Sequence, residues 1–348
     1  MKIYRRCGGM KKFLGCFFVT FLLLSVLSGR GFADAKNLTL KFAIPTTIDD
    51  FAGKGVLLMK EVVEKESKGG VKLNIFPGGQ LGSMREHWEG CQAGVIDMVT
   101  VISSSLEPFV PEVAVLGMPF LFPNDYENSF EKMWDIMDNT VQPLLNNHMK
   151  KKGLVLLGIT SYGYAQMTNS VRPIEKMADL KGIKMRVVPS PLLIFQYESW
   201  GANPTPVDFS ELYISLQQGV VDAQENGLSI IDTKKIYEVQ KYLSVTDHYP
   251  SMGLIAASKI FWDRISEDQK NIILNGVSES LKLQRKLMLQ ERERLLKFMK
   301  EKGLKVNFLD SGARKEWANA SIVVHKKYAS LSDNNKKILD AVYKAVGK

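Results

Sequence analysis

The chain alternates between short strand-like segments and helix-like segments, and this alternation constrains the fold more than any other feature. Residues 38–44, 71–76 and 96–102 have the alternating or continuously apolar pattern of β-strands. Between them, residues 49–68 and 83–93 place apolar side chains three and four positions apart, as amphipathic helices do. Strands separated by helices predict an α/β fold in which helices cover the sheets.

The alternation continues and then begins again after Tyr162. Residues 125–152 predict mostly helix, with a kink at Pro143, and residues 153–159 predict an apolar strand. The elements predicted after Tyr162 are strands over 182–188, 202–207 and 220–224 and helices over 191–200 and 209–218. The new start predicts a second domain of the same class.

Residues 267–302 predict one long helix. A capping-box pattern begins at Ser266, Gly303 provides a natural C-terminal stop, and no proline lies between them. Such a helix would be roughly 54 Å long, since each residue adds about 1.5 Å, so it would extend across both domains. The alternative is two helices with a break near Gly276 or Gln284.

The first 35 residues predict a secretory signal peptide. Several basic residues precede an apolar run over residues 13–27, and Ala33 and Ala35 supply the small residues of a cleavage site. The alternative is a retained membrane anchor, but the run is short for a spanning helix of about 20 residues. We therefore expect export, with cleavage after Ala35.

Removal of this segment changes the charge and the cysteine count. It takes away six of the 46 basic residues and one of the 37 acidic residues, which leaves a net charge of +4 instead of +9. That charge, spread without a basic stripe, does not indicate nucleic-acid binding. Only Cys91 remains, so an ordinary hydrophobic core must stabilise the exported chain. No later segment is apolar enough for a membrane span, so we expect a soluble mature protein of a size typical of two domains.

Common catalytic patterns are missing from the sequence. There is no G-x-S-x-G, no H-E-x-x-H and no G-x-x-x-x-G-K segment. The four histidines lie far apart without metal-ligand spacing: His87, His148, His248 and His325. We therefore predict no catalytic residues, no metal site and no cofactor, and we expect Asp49-Asp50 to cap a helix.

Arg186 is the first candidate for ligand binding. It lies in the predicted strand 182–188, on the strand face that also carries Lys184 and Val188. Strands of an α/β sheet are usually apolar on both faces, so an arginine there needs a carboxylate partner from the protein or from a ligand. Its planar guanidinium fits a carboxylate through two parallel hydrogen bonds. Both alternatives, ligand binding and a structural ion pair, remain open from the pattern alone.

Two further candidates follow neighbouring elements. Asn226 lies at the end of the predicted strand 220–224, and ligands of open α/β sheets bind beyond the carboxyl ends of strands. Phe209 begins a predicted helix, where stacking on a ligand and a role in the core are equally compatible with the pattern. Asp222 and Glu225 follow at the same strand end, where contact with a ligand and a role in tying loops together are both open; for Glu225 we favour the second.

Several segments, in this order, resemble one protein family. They are FPGGQLG (76–82), QAGVIDM (92–98), MPFLF (118–122), DLKGIKMR (179–186), GANPTP (201–206), SELY (210–213), VDAQEN (221–226) and EVQKYL (238–243). The chain is similar to the solute-binding subunits of tripartite ATP-independent periplasmic (TRAP) transporters, of the dicarboxylate type. The resemblance implies a two-lobed α/β periplasmic-binding-protein fold with a long helix spanning both lobes. We assign residues 36–162 and 252–290 to lobe I, and residues 163–251 and 291–348 to lobe II.

The resemblance also implies a site and partners. Arg186 would bind the ligand carboxylate in a cleft between the lobes, with Asn226 and Phe209 lining the same pocket. The residues expected as further walls are Gln166, Tyr164 and Trp88. The implied partners are a small organic anion and the small and large membrane subunits of a transporter that uses an ion gradient.

The sequence departs from the family at a second cation. Many relatives carry an arginine where this chain has Ala165. Arg85 is a candidate replacement, with a surface role as the alternative. The departure argues against a dicarboxylate held by two arginines and leaves a monocarboxylate such as a 2-oxo, hydroxy or sugar acid open. We expect a periplasmic solute-binding protein without enzymatic activity. The alternatives are a subunit that presents the acid to a signalling receptor and, less favoured, an exported enzyme.

Overall fold

The computed structural model describes residues 37–122 and 130–348, so the predicted signal peptide lies outside the described residues. The strands are β1 Leu38–Ala43, β2 Val71–Phe76, β3 Met98–Ile102, β4 Leu154–Asn169, β5 Lys184–Val187, β6 Asn203–Pro206, β7 Ala223–Gly227, β8 Tyr242–Val245, β9 Pro250–Ser258 and β10 Lys305–Phe308. The helices are α1 Phe51–Glu66, α2 Met84–Gln92, α3 Ser103–Leu106, α4 Phe130–Ile136, α5 Gln142–Lys151, α6 Pro191–Ser199, α7 Leu212–Gln217, α8 Leu228–Thr233, α9 Lys259–Arg264, α10 Glu267–Gln290, α11 Arg292–Glu301, α12 Ser311–Ala329 and α13 Asp333–Val346. A π-helical turn, Met137–Val141, separates α4 from α5.

The strands form two half-sheets that share β4. The first half has the order β2-β1-β3-β9-β4, in which β1 is parallel to β2 and β3, and β9 is antiparallel to β3 and β4. The second half has the order β4-β7-β5-β6, with β8 also beside β4 and β10 beside β8. This α/β architecture confirms the predicted fold class. The predicted lobe boundary at residue 162 falls inside β4, because that strand runs through both halves.

Local signals in the sequence explain where the helices begin. Asp50 caps α1 by accepting a hydrogen bond from the Gly53 amide at 2.8 Å, as predicted. Ser83 and Glu86 form a reciprocal capping box at α2. The predicted box at α10 is confirmed, since the Ser266 side chain accepts from the backbone of Gln269.

The predicted long helix is in fact two helices. The break lies at Glu291, between α10 and α11, and not near Gly276 or Gln284. Gly276 lies inside α10, which packs so closely on α1 that a Cβ atom at this position would lie 2.5 Å from Cγ2 of Val63. At the break, Arg292 forms an ion pair with Asp247 at 2.7 Å. No proline or glycine marks the position, so the sequence pattern could not reveal the break.

A buried carboxylate ties the segment after α3 to the start of α6. Glu107 is 3% exposed and accepts a hydrogen bond from the Leu192 amide at 2.9 Å and another from the Ser190 hydroxyl. Ser190 itself caps α6 by accepting from the Leu193 amide. Burial raises the pKa of Glu107 to about 7.

Buried apolar side chains form the core in separate clusters. Phe42 and Met59 belong to one buried apolar cluster, and Met185 and Trp317 belong to another. Cys91, the one cysteine among the described residues, is fully buried and unpaired. Within the described ranges, none of the helices combines the length and the apolar character needed to cross a membrane.

Candidate functional site

A partly open cavity, with about 270 Å³ of space that includes open solvent, brings together residues from both half-sheets. Its lining residues are Thr46, Met84, Ile102, Tyr162, Arg186, Val188, Phe209, Asn226 and Ile230. Three of the seven predicted site residues are therefore in one cavity: Arg186, Phe209 and Asn226. Val188 joins Arg186 because the two residues share one face of the strand, as the alternation predicted.

Arg186 supplies a buried cation to this cavity. Its side chain is 2% exposed, and Nε donates a hydrogen bond to the Val207 carbonyl at 2.9 Å. Among the described residues, Nη2 has no hydrogen-bond partner and no carboxylate forms an ion pair with the guanidinium. Burial lowers the pKa of Arg186 to about 10, against the opposing effect of Glu225, Asp208 and Tyr249. The group remains charged at neutral pH. Within residues 37–122 and 130–348, the structural ion-pair alternative thus lacks a carboxylate partner.

A chain of side-chain hydrogen bonds fixes Asn226. Its Nδ2 donates to Oε1 of Gln224 at 2.6 Å, and Nε2 of Gln224 donates to the Thr168 hydroxyl at 2.8 Å. All three residues lie on the antiparallel pair β4 and β7, where Thr168 is opposite Gln224. The amide of Asn226 is thereby held at the cavity wall before any ligand binds.

Phe209 forms an apolar wall beside these polar groups. It begins a short 3₁₀ helix, Phe209–Glu211, which Asp208 caps by accepting from the Ser210 amide at 2.9 Å. The ring is 6% exposed, and Nζ of Lys234 lies 4.5 Å from its centroid. A buried ring next to a guanidinium and an amide gives a surface for the carbon skeleton of a ligand.

Glu225 has a structural role, as the sequence indicated. Its carboxylate accepts from the hydroxyl of Tyr249 at 2.7 Å and from that of Tyr197, and it lies 2.8 Å from Nε2 of His248. Asp222 likewise ties elements together, since it accepts from the Lys184 amide at 3.0 Å. Neither carboxylate lines the cavity.

Gln166 and Tyr164 lie in a neighbouring cavity of about 240 Å³. Gln166 donates to Asp247 at 2.6 Å and to the Tyr164 carbonyl at 3.1 Å. Its Oε1 accepts from the backbone of Thr246 at 2.9 Å, so this amide holds the turn at Asp247, where φ is +43°. The structure places Gln166 and Tyr164 beside the Arg186 cavity and not among its lining residues.

The structure also places Trp88 and Arg85 outside the lining of that cavity. Trp88 is 3% exposed and packs against Phe109 with ring centroids 3.9 Å apart. The Arg85 side chain is 67% exposed and pairs with Glu89 at 2.8 Å. Arg85 thus has the surface role that was the alternative to a ligand contact.

Several lining residues were missed from the sequence. Thr46 follows the carboxyl end of β1, so the rule that ligands bind beyond strand ends could have indicated it. Tyr162 lies at an irregularity of β4, between Ser161 and Tyr164, where the pairing with β9 shifts register. Such a shift depends on how β4 pairs with β9, and no local sequence pattern indicates it.

The cavity combines groups that are suited to holding a carboxylate. A buried cation and a fixed amide can hold a carboxylate, while the apolar lining excludes water and strengthens the charge-assisted hydrogen bonds. Ala165 is fully buried and paired with Gly227, so this position adds no cation. Throughout residues 37–122 and 130–348, no group of three or more His, Cys, Asp or Glu side chains is arranged to hold a metal ion.

Comparison with known proteins gives matches over most of the chain. A family model described as bacterial extracellular solute-binding protein, family 7, matches residues 42–331. The 2,3-diketo-L-gulonate-binding periplasmic protein of Escherichia coli (strain K12) is 31% identical over 285 residues, which cover 82% of this chain and 85% of that protein. The matched range includes every residue that lines the Arg186 cavity.

Solved structures agree with these sequence matches. A TRAP periplasmic solute-binding protein from Polaromonas sp. JS666, bound to D-erythronate, has a TM-score of 0.81 at 30% identity and covers 88% of this chain and 98% of its own. The sugar acid binding protein of Advenella mimigardefordensis strain DPN7T, in complex with galactonate, has a TM-score of 0.82 at 32% identity and covers 89% and 99%. The fold and the sequence thus point to the same group of proteins.

Proposed function

Because the chain belongs to the bacterial extracellular solute-binding proteins of family 7, we propose that it captures a small organic acid and delivers it to a TRAP-type membrane permease. The observation that carries this proposal is the guanidinium of Arg186, which is buried in a cavity and retains an Nη2 group without a protein partner among the described residues. A buried donor of this kind is costly unless an acceptor completes it. A ligand carboxylate is such an acceptor, and it fits the planar fork of arginine.

The names of the relatives support hydroxylated carboxylic acids as the ligand class. Erythronate and galactonate are bound in two solved structures, and 2,3-diketo-L-gulonate is the named ligand of the Escherichia coli protein. Each of these ligands joins one carboxylate to a chain of oxygen-bearing carbons. In this chain, the carboxylate would lie on Arg186, Asn226 would donate a hydrogen bond to it, and Phe209 would pack on the carbon skeleton.

The proposal extends to where and how the protein acts. Export with cleavage after Ala35 would place residues 36–348 in the periplasm. Closure of lobe I (36–162 and 252–290) over lobe II (163–251 and 291–348) by a hinge motion would produce the form that the small and large membrane subunits accept. The bound acid would be released unchanged, since the proposed role is binding and not turnover.

Isothermal titration calorimetry and thermal unfolding of purified residues 36–348 test this function. Erythronate and galactonate are the first probes, because they are the ligands bound in the two similar structures. A ligand at 100 times its dissociation constant is expected to stabilise the folded chain by about 2.7 kcal/mol. The Arg186→Gln variant is expected to lose this stabilisation.

The matched control is Arg264→Gln, which removes an arginine that is largely exposed and paired with Asp97. This variant is expected to bind like the wild type. Equal binding by Arg186→Gln and the wild type would contradict the assignment of the carboxylate site. Conversion of the acid into a product would contradict a role limited to binding.

A further inference from the structure

A second cation lies at the edge of the Arg186 cavity. Lys234 follows the last residue of α8, and its backbone amide donates to the Ile230 carbonyl at 2.9 Å. This hydrogen bond places Lys234 one helical turn after Ile230, on the same side of the helix. Ile230 lines the cavity, and so does Phe209, whose ring centroid is 4.5 Å from the Lys234 ammonium. The lysine ammonium therefore lies next to the lining residue Phe209, while Lys234 itself is outside the lining.

The surroundings of Lys234 leave its charge available. The side chain is half-buried, and no described carboxylate forms an ion pair with it. Burial lowers the pKa of Lys234 and the nearby Arg186 guanidinium lowers it further, while Asp208 and Asp50 act in the opposite direction. Phe209 joins the two cations, since its ring lines the Arg186 cavity and carries the Lys234 ammonium 4.5 Å from its centroid. Two like charges held together are unfavourable unless an anion reaches both.

The other basic side chains considered for this role have different contacts. Arg85 pairs with Glu89 on the surface of α2, and position 165 is a fully buried alanine. Lys235, next in the chain, is exposed and does not stand over the Phe209 ring. Of Arg85, Lys234 and Lys235, Lys234 is the one whose ammonium contacts a residue that lines the Arg186 cavity.

We infer that Lys234 is a specificity-determining residue that binds a second anionic group at the distal end of the ligand. This inference rests on the proposed function, because it requires the first carboxylate on Arg186. The preferred ligand class is then a short dicarboxylic acid, with one carboxylate on each cation and its carbon chain across Phe209. A ligand with a terminal hydroxyl in place of the second carboxylate would lose the ionic contact with Lys234 and keep its contacts with Arg186 and Phe209.

Three pairs of acids test the inference, because the members of each pair differ only in a terminal CH₂OH or carboxylate group. The pairs are erythronate and meso-tartrate, galactonate and galactarate, and 4-hydroxybutyrate and succinate. Dissociation constants are measured by calorimetry for the wild type, Lys234→Gln, Lys234→Arg and Lys235→Gln. Lys235→Gln is the matched control, since it removes the same charge one position further along the chain.

The wild type is expected to bind the dicarboxylate of at least one pair about tenfold more tightly than its partner, which corresponds to about 1.4 kcal/mol. Lys234→Gln is expected to remove this preference and change monocarboxylate binding less than threefold. Lys234→Arg is expected to keep the preference, and Lys235→Gln is expected to leave it unchanged.

The inference is wrong if Lys234→Gln keeps the preference of the wild type for the dicarboxylate, or if Lys235→Gln loses that preference as fully as Lys234→Gln does. It is also wrong if the wild type prefers the monocarboxylate in all pairs or binds none of the six acids. Arg186→Gln separates this inference from the proposed function. If it loses both members of every pair while Lys234→Gln keeps the preference, only the role of Lys234 fails. If Arg186→Gln binds both members like the wild type, the proposed function fails first.

Discussion

Replacing Arg186 by methionine is expected to stabilise the ligand-free protein and to abolish ligand binding. Burial lowers the pKa of this arginine from 12.5 to about 10, which corresponds to about 3 kcal/mol of unfavourable burial of the charged form. Methionine removes that cost and fills much of the space with a flexible apolar chain. The lost hydrogen bond to the Val207 carbonyl costs about 1 kcal/mol, so we expect a net gain of about 2 kcal/mol.

Urea unfolding of residues 36–348 without ligand measures this gain, with Arg285→Met as the matched control. Arg285 forms two hydrogen bonds of 2.7 Å with the carboxylate of Asp138, and its guanidinium stands over the Trp134 ring. Because its charge has a partner, Arg285→Met is expected to destabilise the protein. If Arg186→Met destabilises the ligand-free chain as much as Arg285→Met does, then Arg186 has a structural role and the reasoning is refuted.

Three further predictions concern stability and the positioning of the site. Burial raises the pKa of Glu107 from 4.5 to about 7, so the free energy of unfolding should fall as pH rises from about 5 to 8 and the carboxyl group ionises. In urea unfolding, Glu107→Gln should lose up to about 3 kcal/mol less stability than the wild type over this range. An equal pH dependence of the two proteins would contradict the prediction. Gln224→Leu should weaken binding of the best acid about five- to tenfold in calorimetry, because the Asn226 side chain loses the acceptor that fixes it. An unchanged affinity would show that the hydrogen bond between Asn226 and Gln224 does not support binding. Gly276→Ala should destabilise the chain by about 1–3 kcal/mol in denaturant unfolding, because its Cβ would meet Val63 at 2.5 Å; a neutral effect would show that α1 and α10 can separate.

Much of the fold could be predicted because its elements carry local signals. Strand β2 begins and ends where the sequence indicated, and the caps at Asp50, Ser83 and Ser266 fixed the starts of three helices. Strand β7 begins later than predicted, at Ala223, because the preceding valines belong to the turn that leads into it. The break at Glu291 has no local signal, since neither proline nor glycine interrupts the helix there.

The site was only partly predictable, for a physical reason. Arg186 was found because a charged residue in an otherwise apolar strand requires a partner, and that requirement is visible in the sequence. Gln166 and Tyr164 lie on the correct strand, but the turn at Asp247 occupies the Gln166 amide, and this depends on tertiary contacts. Lys234 was not predicted, because only the fold brings the end of α8 next to Phe209.

A crystal structure of residues 36–348 with the acid that gives the largest thermal stabilisation would show whether Arg186 binds the ligand carboxylate. We expect the carboxylate within about 2.7–2.9 Å of the terminal nitrogens of Arg186, as charge-assisted hydrogen bonds require. Phe209 should pack on the carbon skeleton, and the Asn226 amide should donate to the ligand. An acid whose carboxylate lies elsewhere, with Nη2 of Arg186 still without an acceptor, would contradict the account.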